Sequence, residues 1–298
     1  YTITALNPLG SITDAVTVNY IYSPIQLSIT FPGDGKTISC PYTLVRGTVS
    51  DASGADEIGV TVNGFIALVH QNEFAANHIP LEKGENIITV IATDSLGNVR
   101  SKSITVLADI DVDHIWILSD AESGAFPFTA RLKIDASFDF ISPNVFHTGG
   151  SVDYLETRDN TFLVRLNDAG ICYFHFEAMD DQYNQYTDTV AVMPYSGDAI
   201  DGLLRTRWAG LMDHLNNGDM ESGLSLMHSR SRQAYEIVFG NMIPQMSDFM
   251  STYKSITLLS VNENSAEYKL STEENGKKYK YPLHFVKDTN GLWKILSF

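Results

Sequence analysis

Three aspartates at alternate positions, Asp109, Asp111 and Asp113, are the sharpest ionic feature of this chain. In an extended segment residues i, i+2 and i+4 face the same way. Three carboxylates on one side, with Asp94 or Asp180 nearby, could share a Ca2+, a hard cation that takes oxygen ligands. A solvated linker face is the plainer reading and the preferred one, because calcium loops usually add further ligands at recognisable spacing. A second group is aromatic. Tyr279, Tyr281, Leu283 and Phe285 alternate with Lys278, Lys280, Pro282 and His284. Trp208, Met212, Tyr235 and Phe239 stand upstream, where they could join them from helices. Together these side chains could line an apolar ligand pocket, or they could simply be core, which is what such stripes more often mean. Asp213 and His214, beside the helical stripe, are the two candidates for a catalytic base.

Other catalytic signatures are missing from the sequence. There is no Gly-x-Ser-x-Gly elbow, no phosphate-cradling glycine loop and no His-Glu-x-x-His. The eight histidines are scattered, with none at metal-ligand spacing to another. A non-catalytic role is therefore expected. The net charge of −16 is uneven: residues 1–199 hold 25 Asp+Glu and 9 Lys+Arg, residues 200–298 hold 11 of each. An acidic segment of that size is repelled by nucleic acid and by anionic membrane surfaces. No apolar run reaches membrane-spanning length. Cys40 and Cys172 fall in separate segments and are not expected to be bridged.

The elements that must position these residues have two periods. Leu204, Trp208, Leu211 and Leu215 recur at steps of four, three and four, one face of a helix closed by Asn216-Asn217-Gly218. Asp219 caps a short second helix through Met227, and Ser231 caps a third with Ala234, Ile237 and Val238 inward. Strands follow over 255–261, 266–270, 278–286 and 293–298, an α+β layout. Residues 1–199 instead alternate with period two. Three segments share one plan of strand, Ala, polar turn and strand, with Ala5, Ala92 and Ala178 as markers 87 and 86 residues apart. That period fits one immunoglobulin-like sandwich each, the segments being its closing hairpins. Residues 1–23 read as the last hairpin of a truncated module, 24–108 and 109–195 as complete sandwiches, and 200–298 as the α+β domain.

The stretch ITFPGDGKTIS, with VRGTVSD, VTVNGFIA and IPLEKGENIITVIATDSLGN after it, resembles the bacterial immunoglobulin-like modules of surface and secreted proteins. Residues 109–195 resemble a PKD-type module through Gly124-Ala125-Phe126-Pro127-Phe128-Thr129, Asp135-Ala136-Ser137 and the closing hairpin. The aromatic-Asp-Phe-Gly-Asp-Gly centre of that family is not evident. The last hundred residues resemble the nuclear-transport-factor-like, SnoaL-like and cystatin-like cone fold, through WAGLMDHLNNGDMESGLSLM, SRQAYEIVF and DTNGLWKILSF. The resemblances imply tandem all-β sandwiches followed by an α+β cone, in a secreted or cell-surface protein. There the sandwiches would act as spacer or adhesive elements presenting the last domain to a protein or carbohydrate partner. An isomerase or dehydratase in the cone is the alternative they imply.

Overall fold

A computed structural model describes residues 2–7, 10–15 and 24–298. Thr2–Asn7 and Gly10–Ala15 pair as an antiparallel hairpin, with Asn7 opposite Gly10. What surface holds that hairpin lies outside the described residues.

Alternating apolar residues build two sheets that pack face to face in the first sandwich. Ile25–Phe31, Tyr42–Asp51, Glu73–Pro80 and Leu68–His70 form one; Thr37–Ile38, Val99–Ala108, Gly84–Asp94, Ile58–Val62 and Phe65–Ile66 form the other. Val45, Phe74 and Ile79 from the first meet Val60, Ile88 and Val106 from the second in one buried apolar core. The tight turn at Asn63-Gly64 has positive φ at both residues, 47° and 87°, which is why Asn-Gly stands there. The second sandwich repeats the plan. Its sheets are Ile115–Ser119, Phe128–Ala136, Thr161–Leu166 and Val152–Arg158, against Ser123–Ala125, Gln185–Tyr195, Cys172–Met179 and Ile141–Thr148. Each sandwich also has a short strand lying parallel to its final strand: Thr37–Ile38 beside Leu107 and Ala108, and Ser123–Ala125 beside Met193–Tyr195. Cys40 and Cys172 are free thiols, one in each sandwich.

The repeat extends to atoms. Asp94 Oδ1 accepts the N–H of Leu96 and of Asn98, and Asp94 Oδ2 accepts from the Asn98 amide. Asp180 makes the same set with Gln182 and Asn184. Both closing hairpins are thus Asp-x-x-x-Asn turns, 86 residues apart by the numbering of their aspartates.

Four helices and a four-stranded antiparallel sheet follow. Helix α1 is Gly197–Asn216, capped by the Ser196 side chain; α2 is Met220–Ser225, capped by Asp219. Helix α3 is Ser229–Met242, and its cap is the His228 side chain, three residues before the expected Ser231. Its inward residue is Phe239. Ala234, Ile237 and Val238, expected inward, are exposed, Ile237 at 72%. A 3-10 turn, Ile243–Gln245, leads into an unforeseen helix α4, Met246–Thr252. The strands Tyr253–Val261, Ser265–Glu274, Lys277–Lys287 and Trp293–Ser297 pair in sequence order.

The three bodies close on one another. Leu44, Leu68 and Ala75 of the first sandwich share a buried cluster with Ile171, Tyr173 and Met193 of the second. Each junction is also fixed by a side chain that bonds a neighbour's backbone. Asn77 donates to the Ala191 carbonyl and accepts its N–H, both at 2.8 Å. Glu57 accepts the Trp293 N–H at 3.1 Å and meets the buried Arg207 guanidinium at 3.0 Å. Glu263 accepts the N–H groups of Glu122 and Ser123. First sandwich holds second and C-terminal domain, and the C-terminal domain holds the second. Sandwiches alone in a line would leave these partners in water.

Gly59 sits where the first sandwich meets the C-terminal domain. A Cβ there would lie 2.2 Å from the Asn290 carbonyl oxygen and 2.9 Å from the Leu292 nitrogen. Those are backbone atoms that cannot step aside as a flexible side chain can. Gly59→Ala is therefore expected to part the two bodies while each stays folded. Calorimetry should show one transition splitting or broadening, and a single unchanged transition would count against the docking.

Candidate ligand cleft

The site begins with how α1 meets the sheet. Trp208, Leu211 and Leu215 project from one face of α1 onto Tyr268, Leu283 and Phe285, all of them buried. Alternation along the strands puts Leu270 and Thr272 on the same sheet face as Tyr268, and Tyr279 and Tyr281 on the same face as Leu283 and Phe285. One end of this face is packed solid. The other end is crossed by α3, the 3-10 turn and α4, which stand away from it. The space left between is an open cleft of about 1220 Å3.

Val238 and Met242 from α3, Phe249 from α4, and Leu270, Thr272 and Tyr281 from the sheet line it. Phe298 forms the wall between filled and open halves. Its ring stands 5.0 Å from Trp208 and 5.2 Å from Tyr235. The Tyr235 hydroxyl donates to the Phe298 carbonyl at 3.1 Å and accepts its N–H at 2.8 Å. That two-point hold keeps the aromatic wall in place. Among the described residues three polar side-chain atoms of this domain are buried without a hydrogen-bond partner: Arg207 Nε at the junction with the first sandwich, the Thr272 hydroxyl and Trp208 Nε1. Thr272 lines the large cleft. Trp208 lines a second, smaller one of about 350 Å3 on the other side of α4, with Met212, Asp213, Met250 and Tyr253.

The aromatic residues singled out from sequence therefore divide. Trp208, Met212, Phe239 and Phe285 are buried, Trp208 and Met212 also bordering the small cleft. Tyr281 lines the large cleft, and Tyr235 braces its wall. Tyr279 is 39% exposed and lies beyond it. Asp213 is exposed at the edge of the small cleft, and His214, half-buried, has Nδ1 3.5 Å from Asp219 Oδ2. Neither reaches the large cleft. Sequence reasoning missed Val238, Met242, Phe249, Leu270 and Thr272 because it missed α4. The signal was available: Met246, Phe249, Met250 and Tyr253 stand at i, i+3, i+4 and i+7.

The aspartates of the linker do not converge. Asp111 pairs with Lys83, and Asp113 accepts from the Ser137 hydroxyl at 3.0 Å. Asp94 and Asp180 are committed to their own turns. Among the described residues no three His, Cys, Asp or Glu side chains gather as a metal site would require. A chelator is expected to leave the melting profile of the sandwiches unchanged; a lower transition temperature in its presence would restore Asp109, Asp111 and Asp113 as ligands.

Comparison with known proteins bears on the sandwiches. Residues 25–110 match the family model of glucodextranase, domain B. Bacillopeptidase F of Bacillus subtilis (strain 168) is 33% identical over 138 residues, which is 43% of this chain and 9% of that protein. The chain thus spans about a tenth of the length of that curated relative. Among solved structures, the fibronectin(III)-like modules of Clostridium thermocellum CbhA align over 58% of this chain and 96% of their own, at 11% identity and a TM-score of 0.23. The Ig1-2 module of a Drosophila receptor protein tyrosine phosphatase aligns over 58% and 98%, at 11% and 0.25. Latent PorU of Porphyromonas gingivalis aligns over 58% and 20%, at 11% and 0.31. The chain contains tandem immunoglobulin-like β-sandwich modules. Among the described residues no helix is long and apolar enough to cross a membrane.

Proposed function

We propose that this chain is a non-catalytic part of a bacterial modular protein outside the cell, in which two sandwiches hold a ligand-binding C-terminal domain. The division of one sheet face into a packed half and an open apolar half carries this reading. Small-ligand sites are concave, mainly apolar and lined by a few polar groups. The layout of helices over one sheet face supports the cone-fold resemblance, in which that face holds ligand. Residues lining the cleft include no His, Cys, Lys or Arg, and its carboxylates, Asp248, Glu273 and Glu274, are exposed or half-exposed. A general base poised by burial is thus lacking there, which favours binding over catalysis. The three-way docking favours a rigid platform over a linear spacer. Glucodextranase domain B and bacillopeptidase F bear the names of enzymes, and the family match falls on a sandwich, which supports an accompanying role for this part. The acidic surface of residues 1–199 suits a soluble extracellular module.

A neutral apolar fluorophore such as Nile red tests the cleft. Saturable emission at one site per chain, lost in Val238→Trp with the melting temperature retained, is the expected result. Emission that does not saturate, or that survives the substitution, would remove the cleft as the site.

A further inference from the structure

We propose that the cleft takes an amphiphile with a cationic amine head and an apolar body. The inference rests on the reading of the cleft as a binding site and names the class of its ligand. Three side chains that line it are carboxylates: Asp248 on α4, and Glu273 and Glu274 on the Ser265–Glu274 strand. Among the described residues no cationic side chain lines it. Lys278 and Lys277 stand across the strand register from Glu273 and Glu274, and neither belongs to the lining. The C-terminal domain as a whole balances its charges, so the sign of this one cavity is local. Its floor is different in kind. Leu270 is 2% exposed, and Met242, Phe249 and Phe298 bring apolar surface around it. Thr272, 3% exposed, adds a hydroxyl that no protein group satisfies.

Each part selects something. An alkyl or aryl body loses water against Leu270, Met242 and Phe249. An ammonium head stays near the solvated carboxylates, where an anionic head would be repelled. A hydrogen-bonding atom on the ligand next to Thr272 relieves a buried group that otherwise stays unpaired. Tyr281, at the same cleft, offers an aromatic ring to a cation.

Titration calorimetry of the full chain with octylammonium, octanol and octanoate separates these contributions, because the three probes share a tail and differ in head charge. Octylammonium is expected to bind at least tenfold more tightly than octanoate, with octanol between. Replacing Asp248→Asn, Glu273→Gln and Glu274→Gln together should cut octylammonium affinity at least fivefold and leave octanol unchanged. In 1 M salt the preference should narrow, since exposed charges are screened. Octanoate binding as tightly as octylammonium, or a triple variant that keeps the preference, overturns the cationic head while leaving the cleft as a site. Failure of all three probes to bind overturns the cleft itself.

Discussion

Trp208→Ala is expected to destabilise the C-terminal domain by roughly 3–5 kcal/mol, as truncation of a large buried aromatic does. Trp208 is 2% exposed and packs on Tyr253 and Phe298. It joins α1 to the aromatic wall that separates packed core from cleft, so its loss opens both. One feature moderates the effect. Its Nε1–H has no partner, and removing a buried unsatisfied donor recovers about 1–3 kcal/mol. The loss should therefore fall in the lower part of the range. Trp208→Phe, which keeps most of the apolar area and drops the orphan donor, should cost under about 1.5 kcal/mol. Denaturant melts of the full chain, followed by a probe specific to the last domain, measure both. A loss for Trp208→Phe well above about 1.5 kcal/mol would mean that the indole N–H finds a partner in solution.

The second large effect concerns the junction between the first sandwich and the C-terminal domain. Arg207 and Glu57 are 3% and 11% exposed at their side chains. Removing one partner of a buried pair strands the other charge, at a cost of roughly 3–5 kcal/mol, while replacing both is often near neutral. Above about pH 7, where Glu57 is ionised, Arg207→Ala should thus undock the two bodies, and Glu57→Gln with Arg207→Met should largely restore docking. The same carboxyl gives the junction a pH dependence. Burial pushes Glu57 up from 4.5 to about 7, against the opposing pull of the Arg207 charge and the Trp293 N–H. The docked state therefore holds a proton that the undocked state releases. Stability of the junction is fullest below pH 4.5 and declines as pH rises through about 7, by roughly 3 kcal/mol if the group acts alone. The docking transition should move to lower temperature between pH 5 and pH 7.5 in the native chain, and Glu57→Gln should flatten that slope. A transition that rises over this interval would show that the ionised pair, with Lys287 nearby, outweighs burial.

Several features were legible because they are local. The α1 stripe needs nothing beyond a 3.6-residue period, and Leu204, Trp208, Leu211 and Leu215 are all buried as that period requires. The Asn63-Gly64 and Asn275-Gly276 turns follow from the positive φ that both residues tolerate, and both have it. The strand alternation from Tyr279 to Phe285 marks one face of the sheet. Its division was not legible, because which half of a face is covered depends on where distant helices stand. Leu283 and Phe285 lie under α1, while Tyr281 faces the gap left by α3 and α4. Helix α3 misled for a related reason: Ala234, Ile237 and Val238 make an apolar stripe, but the sheet lies on the side of Tyr235 and Phe239. The aspartate run had the spacing of a shared site, yet Lys83 and Ser137, far off in sequence, draw two of its members apart. Interdomain contacts such as Asn77 with Ala191 leave no period at all in the sequence.

The open half of the sheet face, and not the small cleft by Trp208, is the proposed binding site. Methionine methyl resonances of the full chain test it, because the two clefts carry different reporters: Met242 lines the large one, and Met212 and Met250 line the small one. On titration with octanol, a neutral probe, the Met242 methyl should shift saturably while those of Met212 and Met250 stay in place. Saturable shifts at Met212 and Met250 with Met242 unmoved would place the site in the small cleft instead.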